Sequence, residues 1–440
     1  MPDLSMARLK LELFCRGAAV SPTCRLEEDT RPVKRTRGGL GSGVDAILPG
    51  GVWVNIPIVE NFAQDSHFLL DRVGDRYCLR RGAEEIAKIE LPPRPAWYDQ
   101  TTRSGKRAGD IGVMQGTYFA VYPSALCGFW KTEPRANCRF CSIGLCHGNT
   151  ESAEKFVEDV VDAVRLARRH ENITFVHFNT GYYEDDRALD VIIPYVDAVK
   201  KATGLLVGVQ CPPAVDLSKY DALRKLGVDH LSFCFEIFDP ARFAEVCPGK
   251  AEVFGRAAAA LGSDNRLEEV RTLSKKHLTN AEPHPGQLIF YRALKYATEQ
   301  WGKGPVAGEI IAGLEPSKRS IQAVEFLAEC GAVATVCVFR PCIGTDFELL
   351  PPPDPDVIAP ALARQYEVTI ERKIPHGVAP NIQTAMVHTQ GESRDFSREG
   401  FGRWQNGNGG TRTRAREMSF HLKVAAMKAV YHPLCALRRR

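Results

Sequence analysis

The sequence predicts an α/β chain built as a full or partial (β/α) TIM-type barrel of parallel strands, preceded by a small N-terminal β element. Two observations predict it. From about residue 151 onward, runs of strand character alternate with stretches of helical period. Before residue 95 there are only short apolar runs broken by turn residues. With 44% hydrophobic residues in 440, the chain has material for one large domain with appendages or for two ordinary domains.

Residues 1–48 are rich in Arg, Gly, Pro and Ser ("RPVKRTRGGLGSG") without a sustained period, and are expected to be largely unstructured. Over 49–95, "VWVNIPIV", "HFLLDRV", "RYCLRR" and "EIAKIEL" are separated by turns such as Gly74-Asp75, the pattern of a small antiparallel element that "PPRP" then terminates. Residues 96–390 are assigned to the barrel. Helical "ESAEKFVEDVVDAVRLARRH" leads to strand-like "ITFVHFNTGYY", and the alternation continues through "LLVGVQCP", "HLSFCFEIFD", "VAGEIIAGL" and "ATVCVFRPCIGT". A polar, alanine-rich stretch at about 252–286 reads as a helical insertion. Residues 391–440 carry eleven Arg or Lys against four Asp or Glu and read as a basic, largely disordered tail, dispensable for chemistry, with one helical pattern over 415–432.

The totals restrict the function. Lys plus Arg exceeds Asp plus Glu by 57 to 53, a net charge of +4 that carries no nucleic-acid signature at this size. No run reaches the roughly 18–20 apolar residues of a membrane span, and the N-terminus lacks a signal-peptide core, so a cytoplasmic protein without a membrane partner is expected.

Most of the fourteen cysteines sit singly in apolar stretches, where a thiol packs as a small hydrophobe. The exception is "CGFWKTEPRANCRFCSIG", with ten residues between Cys127 and Cys138 and two between Cys138 and Cys141. Cys146 and His147 follow closely. Four thiolates from Cys127, Cys138, Cys141 and Cys146 would make a closed zinc site on a non-catalytic scaffold. Three thiolates would instead leave one iron of a four-iron cluster open.

Here the chain resembles the radical S-adenosylmethionine (SAM) superfamily, and within it the biotin-synthase-like branch. The family's usual motif is Cys-x3-Cys-x2-Cys with an aromatic residue before the last Cys; Phe140 fills that place, while the Cys-x10-Cys gap departs from it. "HFNTGYY" stands where the family binds the amino group of SAM, and "SFCFEIFD" resembles a fourth strand ending in an acidic SAM contact. "GEIIAGLE" is similar to the fifth-strand segment near the adenine, and "FRPCIGTDFE" to the last-strand segment of the branch.

The resemblance implies a [4Fe-4S] cluster on Cys127, Cys138 and Cys141, and SAM contacts from Asn179, Thr180, Gly181, Glu236, Gly308, Ile310, Gly313 and Glu315. It implies reductive cleavage of SAM and hydrogen abstraction from a small-molecule substrate, with a reduced donor such as flavodoxin or ferredoxin. A methyltransferase or sulfur-inserting enzyme with a second cluster is the alternative, with Cys211, Cys234, Cys247, Cys337 and Cys342 near strand ends. Arg340 reads either as a clamp for a substrate carboxylate or as a structural ion-pair partner, and Cys234, Tyr182 and Tyr183 as residues that read the substrate.

Overall fold

The computed structural model describes residues 5–29, 33–35, 38–39, 42–375 and 382–404. Its first element corrects the expectation that residues 1–48 lack structure. Helix α1 (Met6–Arg16) starts at Ser5, whose hydroxyl accepts the Arg8 N–H at 3.2 Å. Leu9, Leu11, Leu13 and Phe14 are all buried. Its leucines stand at every second position, Leu9, Leu11 and Leu13, with Lys10 and Glu12 between them, an alternation that imitates a strand period, which is why its helical pattern did not stand out.

The N-terminal β element is a hairpin, β1 (Ser42–Leu48) and β2 (Val52–Pro57), followed by an antiparallel meander, β3 (Phe68–Val73), β4 (Arg76–Arg81) and β5 (Glu84–Ile89). Reciprocal backbone hydrogen bonds between Ile47 and Glu90 join the two. Helix α1 packs on β2.

The main sheet comprises β6 (Val113–Gln115), β7 (Tyr118–Val121), β8 (Phe175–Asn179), β9 (Leu206–Gln210), β10 (His230–Glu236), β11 (Val306–Ala312) and β12 (Val333–Val338). Among the described residues these pair in chain order from β6 to β12; β6 is antiparallel to β7 and every other neighbour is parallel. Because β6 and β12 do not pair, the barrel is partial. Helices α2 (Val157–His170), α3 (Ala188–Thr203) and α4 (Ser218–Lys225) connect β8 through β10 with their neighbours. Between β10 and β11 run α5 (Pro240–Val246), α6 (Pro248–Leu261), α7 (Asn265–His277) and α8 (Pro285–Trp301), and α9 (Ser317–Cys330) precedes β12. The period of two sorts each strand: Val176 and Phe178 of β8 are buried on the helix side, while Phe175, His177 and Asn179 turn into the barrel.

Residues 382–391 lie across the open side. Gln383 exchanges hydrogen bonds with Thr117, the Asn55 N–H reaches the Ala385 carbonyl at 2.7 Å, and Arg340 donates to the Met386 carbonyl at 3.2 Å. Arg340 is fully buried, with its guanidinium 4.1 Å from the Phe14 ring centre. Helix α10 (Pro355–Arg372) precedes this strap and α11 (Gln390–Trp404) follows it, the two packing together. The expectation of disorder from residue 391 is therefore corrected over α11. Phe396 is buried, and Glu392 pairs with the fully buried Lys10 at 3.0 Å. The helical pattern over 415–432 lies outside the described residues.

Removing one partner of a buried ion pair leaves a desolvated charge. Glu392→Ala should therefore destabilise the protein by about 3 kcal/mol, and truncation after Gln390 by more, read as the shift of a urea unfolding midpoint. An unchanged midpoint in both would show that α11 is dispensable.

Candidate functional site

A cavity of about 670 Å³ runs through the barrel from the C-terminal ends of the strands, at Gly181, Pro212 and Glu236, to their N-terminal ends, at Phe175, His230 and Val333. Its upper wall is the cysteine loop. After β7 the chain turns at Cys127 into one 3₁₀ turn, Gly128–Trp130, and Phe129 stacks on Tyr182 with ring centres 4.3 Å apart. The ten residues before Cys138 then fold back. Ala136 N–H returns to the Phe129 carbonyl, and the Ala136 carbonyl accepts the N–H of Gly249. Arg139 holds the end of α5: its backbone N–H reaches the Val246 carbonyl at 2.9 Å and its Nε the Glu245 carbonyl at 2.7 Å. These bonds satisfy carbonyls that a helix C-terminus otherwise leaves open, and they seat Cys138 beside Cys247.

Cys127, Cys138, Cys141 and Phe140 all line the cavity; Cys146, 1% exposed, lies outside its lining. The donor set facing the cavity from this loop is thus three thiols. A tetrahedral zinc ion with bonds of about 2.3 Å needs sulfurs roughly 3.8 Å apart. Among the described residues the one trio of ligand atoms within 4.8 Å of each other is Cys138, Glu236 and Cys247, and the three cavity-facing thiols are not so gathered.

The thiols are not alike. A hydrogen bond with Cys247 lowers the Cys138 thiol; burial opposes this and the Lys250 ammonium assists it. Burial pushes Cys127 up, although the Tyr182 N–H points at its sulfur from 3.3 Å, and burial together with Cys138 pushes Cys141 well up. Ligation would displace protons from the latter two.

The SAM contacts expected from sequence divide into two groups. Asn179, Thr180, Gly181 and Glu236 line the cavity. Asn179 donates to the Gln210 side chain, and the Thr180 N–H reaches the Gln210 carbonyl at 3.0 Å. Glu236 ends β10 at a register shift with φ of 64°, a left-handed conformation that a glutamate adopts only under constraint. The bulge turns its carboxylate to Lys250, which also donates to the Cys234 carbonyl at 2.7 Å. Burial raises Glu236 above the ordinary carboxylate range against the pull of Lys250. Burial also works against the Lys250 charge, but Cys138 and Glu236 outweigh it, so the ammonium stays protonated.

Gly308, Ile310, Gly313 and Glu315 lie outside the cavity lining. Gly308 faces the helices, where an added Cβ would stand 2.3 Å from Leu327. Ile310 is fully buried on that side. Gly313, at φ of 103°, makes the turn after β11. The buried Glu315 carboxylate accepts the N–H groups of Phe238 and Asp239, both at 2.8 Å, and so orders the loop after β10. Sequence reasoning passed over Lys250, Gln210 and Glu309. Glu309 stands inside "GEIIAGLE" on the face opposite Gly308 and Ile310, and strand alternation alone would have found it.

No family model matches the chain, and no curated protein matches it. Among solved structures, methylornithine synthase aligns at 16% identity and a TM-score of 0.39, over 58% of this chain and 63% of that one. The FeFe-hydrogenase maturase HydG from Carboxydothermus hydrogenoformans aligns at 16% and 0.39, over 58% of this chain and 52% of that one. Coproporphyrinogen III oxidase from Escherichia coli, a radical SAM enzyme, aligns at 12% and 0.25, over 53% and 40%. The chain therefore spans less than two thirds of the length of each.

Gly181 packs directly on the cysteine loop: a Cβ there would stand 2.5 Å from Cys127 Cβ and 2.6 Å from the Tyr122 hydroxyl. Gly181→Ala should force Cys127 or the Tyr122 side chain to move and destabilise the protein by about 1–3 kcal/mol, the usual cost of overpacking, read as the shift of a urea unfolding midpoint. An unchanged midpoint in this variant would show that the contact is not restrictive.

Proposed function

We propose that this chain is a radical SAM enzyme in which Cys127, Cys138 and Cys141 hold a [4Fe-4S] cluster. The observation that carries the reading is that these three thiols, separated by a ten-residue gap in sequence, share one wall of a cavity at the C-terminal ends of parallel strands. Such strand ends are where (β/α) barrels place their chemistry. The cluster, when bound and reduced, would supply the electron that cleaves SAM.

The chain's own groups would do the rest. The Tyr182 N–H donates to the Cys127 sulfur, Cys247 bonds to Cys138, and Lys250 offsets part of the negative charge of the thiolate wall. Asn179, Thr180 and Gly181 offer polar atoms and close backbone approach to the SAM amino acid moiety, and Glu236 accepts from its hydroxyl or ammonium groups. Gly308, Ile310, Gly313 and Glu315 act indirectly, by ordering the ends of β10 and β11. The cavity is in the range of about 300–1,000 Å³ usual for ligand sites, leaving a small-molecule substrate as the reactant. A flavodoxin or ferredoxin would deliver the electron. No helix is long and apolar enough to cross a membrane.

Two observations keep other readings testable. Cys211, Cys234 and Cys337 also open on the cavity, as a second cluster in a methyltransferase or sulfur-inserting enzyme would require. Cys138, Glu236 and Cys247 are close enough for a single zinc ion on a scaffold protein. Iron, sulfide and zinc analysis of anaerobically purified protein separates the three: about four irons, about eight, or zinc alone.

Ala replacements of Cys127, Cys138 and Cys141 should each abolish the broad absorbance near ~400 nm, and Cys146→Ala should keep it. Retention in Cys127→Ala with loss in Cys146→Ala would overturn the ligand set. Glu236→Ala should weaken SAM binding about tenfold or more by calorimetry at unchanged iron content, the scale for removing a buried charged acceptor. Equal affinity would remove Glu236 from the SAM site.

A further inference from the structure

Below the cysteine wall the inner face of the barrel carries a second acidic group. Glu309, at the middle of β11, accepts from Ser232 Oγ at 2.7 Å on one carboxylate oxygen, and from Gln210 Nε2 at 2.5 Å and Cys234 Sγ at 3.2 Å on the other. Among the described residues no Lys, Arg or His nitrogen stands within 4.0 Å of it. Lys250, the cavity's ammonium, is engaged with Glu236 and the Cys234 carbonyl. Burial pushes the Glu309 carboxyl up, with the bonds from Ser232 and Cys234 pulling the other way. Three neutral donors orient this carboxyl group, and the Lys250 ammonium acts on it only from beyond ion-pair distance.

The floor beneath it is a group of rings. His230 is the next inward position below Ser232 on β10, and its ring centre lies 6.0 Å from that of His177. His177 is in turn 5.7 Å from Phe175 and 6.1 Å from Tyr118. Tyr118 feels the Glu309 charge. Burial holds His230 down to about 4, so it adds no positive charge near neutral pH. A buried carboxylate beside aromatic faces is the arrangement that selects a cationic nitrogen, by ion pairing on one side and cation–π attraction on the other.

We infer that the substrate carries a cationic nitrogen, an ammonium or amidinium group, which docks on Glu309 above the rings of Tyr118, Phe175, His177 and His230. This deepens the radical SAM reading and rests on it for the reaction. The nitrogen would anchor the substrate at the floor of the cavity, leaving its other end toward the SAM-binding strand ends.

The test uses full-length, anaerobically reconstituted protein and three probes of one length: butane-1,4-diamine, butane-1,4-diol and succinate. Calorimetry should show binding of the diamine alone, weakened about tenfold or more in Glu309→Gln, as for loss of a desolvated charge partner. The comparison of probes on the unaltered protein does not depend on how the variant folds. The inference is overturned if the diol or succinate binds as well as the diamine, if Glu309→Gln binds the diamine unchanged, or if the diamine fails to bind protein that holds its iron and SAM. Absence of iron or of SAM binding, with diamine binding intact, would instead overturn the reaction and leave the site.

Discussion

The structure depends on how a parallel sheet that stops short of closure is sealed. Parallel strands need both faces covered, and an open sheet presents two edges of unpaired backbone groups. One edge is shortened by the antiparallel β6; across the gap to β12 lies the strap of residues 382–391, bonded to Thr117, Asn55, Lys10 and Arg340. The N-terminal helix and hairpin serve as its backing. Without the strap the cavity would be a groove open to water, and its buried carboxylates and thiols would lose the low-dielectric setting that sharpens their interactions.

Charge is distributed along the cavity in levels. At the top, three cysteines and Glu236 share one ammonium, Lys250, held by α6 close behind the cysteine loop. In the middle, Glu309 is oriented by neutral donors. At the bottom are rings. The bulge at Glu236 makes this ladder work: by breaking register after Cys234 it points the carboxylate to Lys250 instead of continuing the strand. The strain of a left-handed glutamate is held by the fixed neighbours on β11.

Much of this was legible in the sequence. The alternation after residue 151 marked the barrel, and the spacing of Cys138 and Cys141 marked the loop. What stayed hidden has physical causes. Helix α1 sets Leu9, Leu11 and Leu13 alternately with Lys10 and Glu12, so its local pattern reads as a strand; α11 is stabilised by a partner 382 positions away in the chain, which no local composition reveals. Gly308 and Ile310 stood out as a motif, yet the pleat turns them to the helices and brings Glu309 between them to the interior. Lys250 could be found only once α6 was placed against the end of β10.

The union of Lys10 with Glu392 and Thr384 has a consequence for biogenesis. A nascent chain whose barrel strands have all left the ribosome through residue 338 still lacks one wall, because residues 382–391 have not emerged. The cysteine loop, made early, waits exposed to solvent while more than half of the polypeptide is synthesised. Assembly of the finished cavity is therefore timed by the last of its walls rather than by the residues that line its mouth.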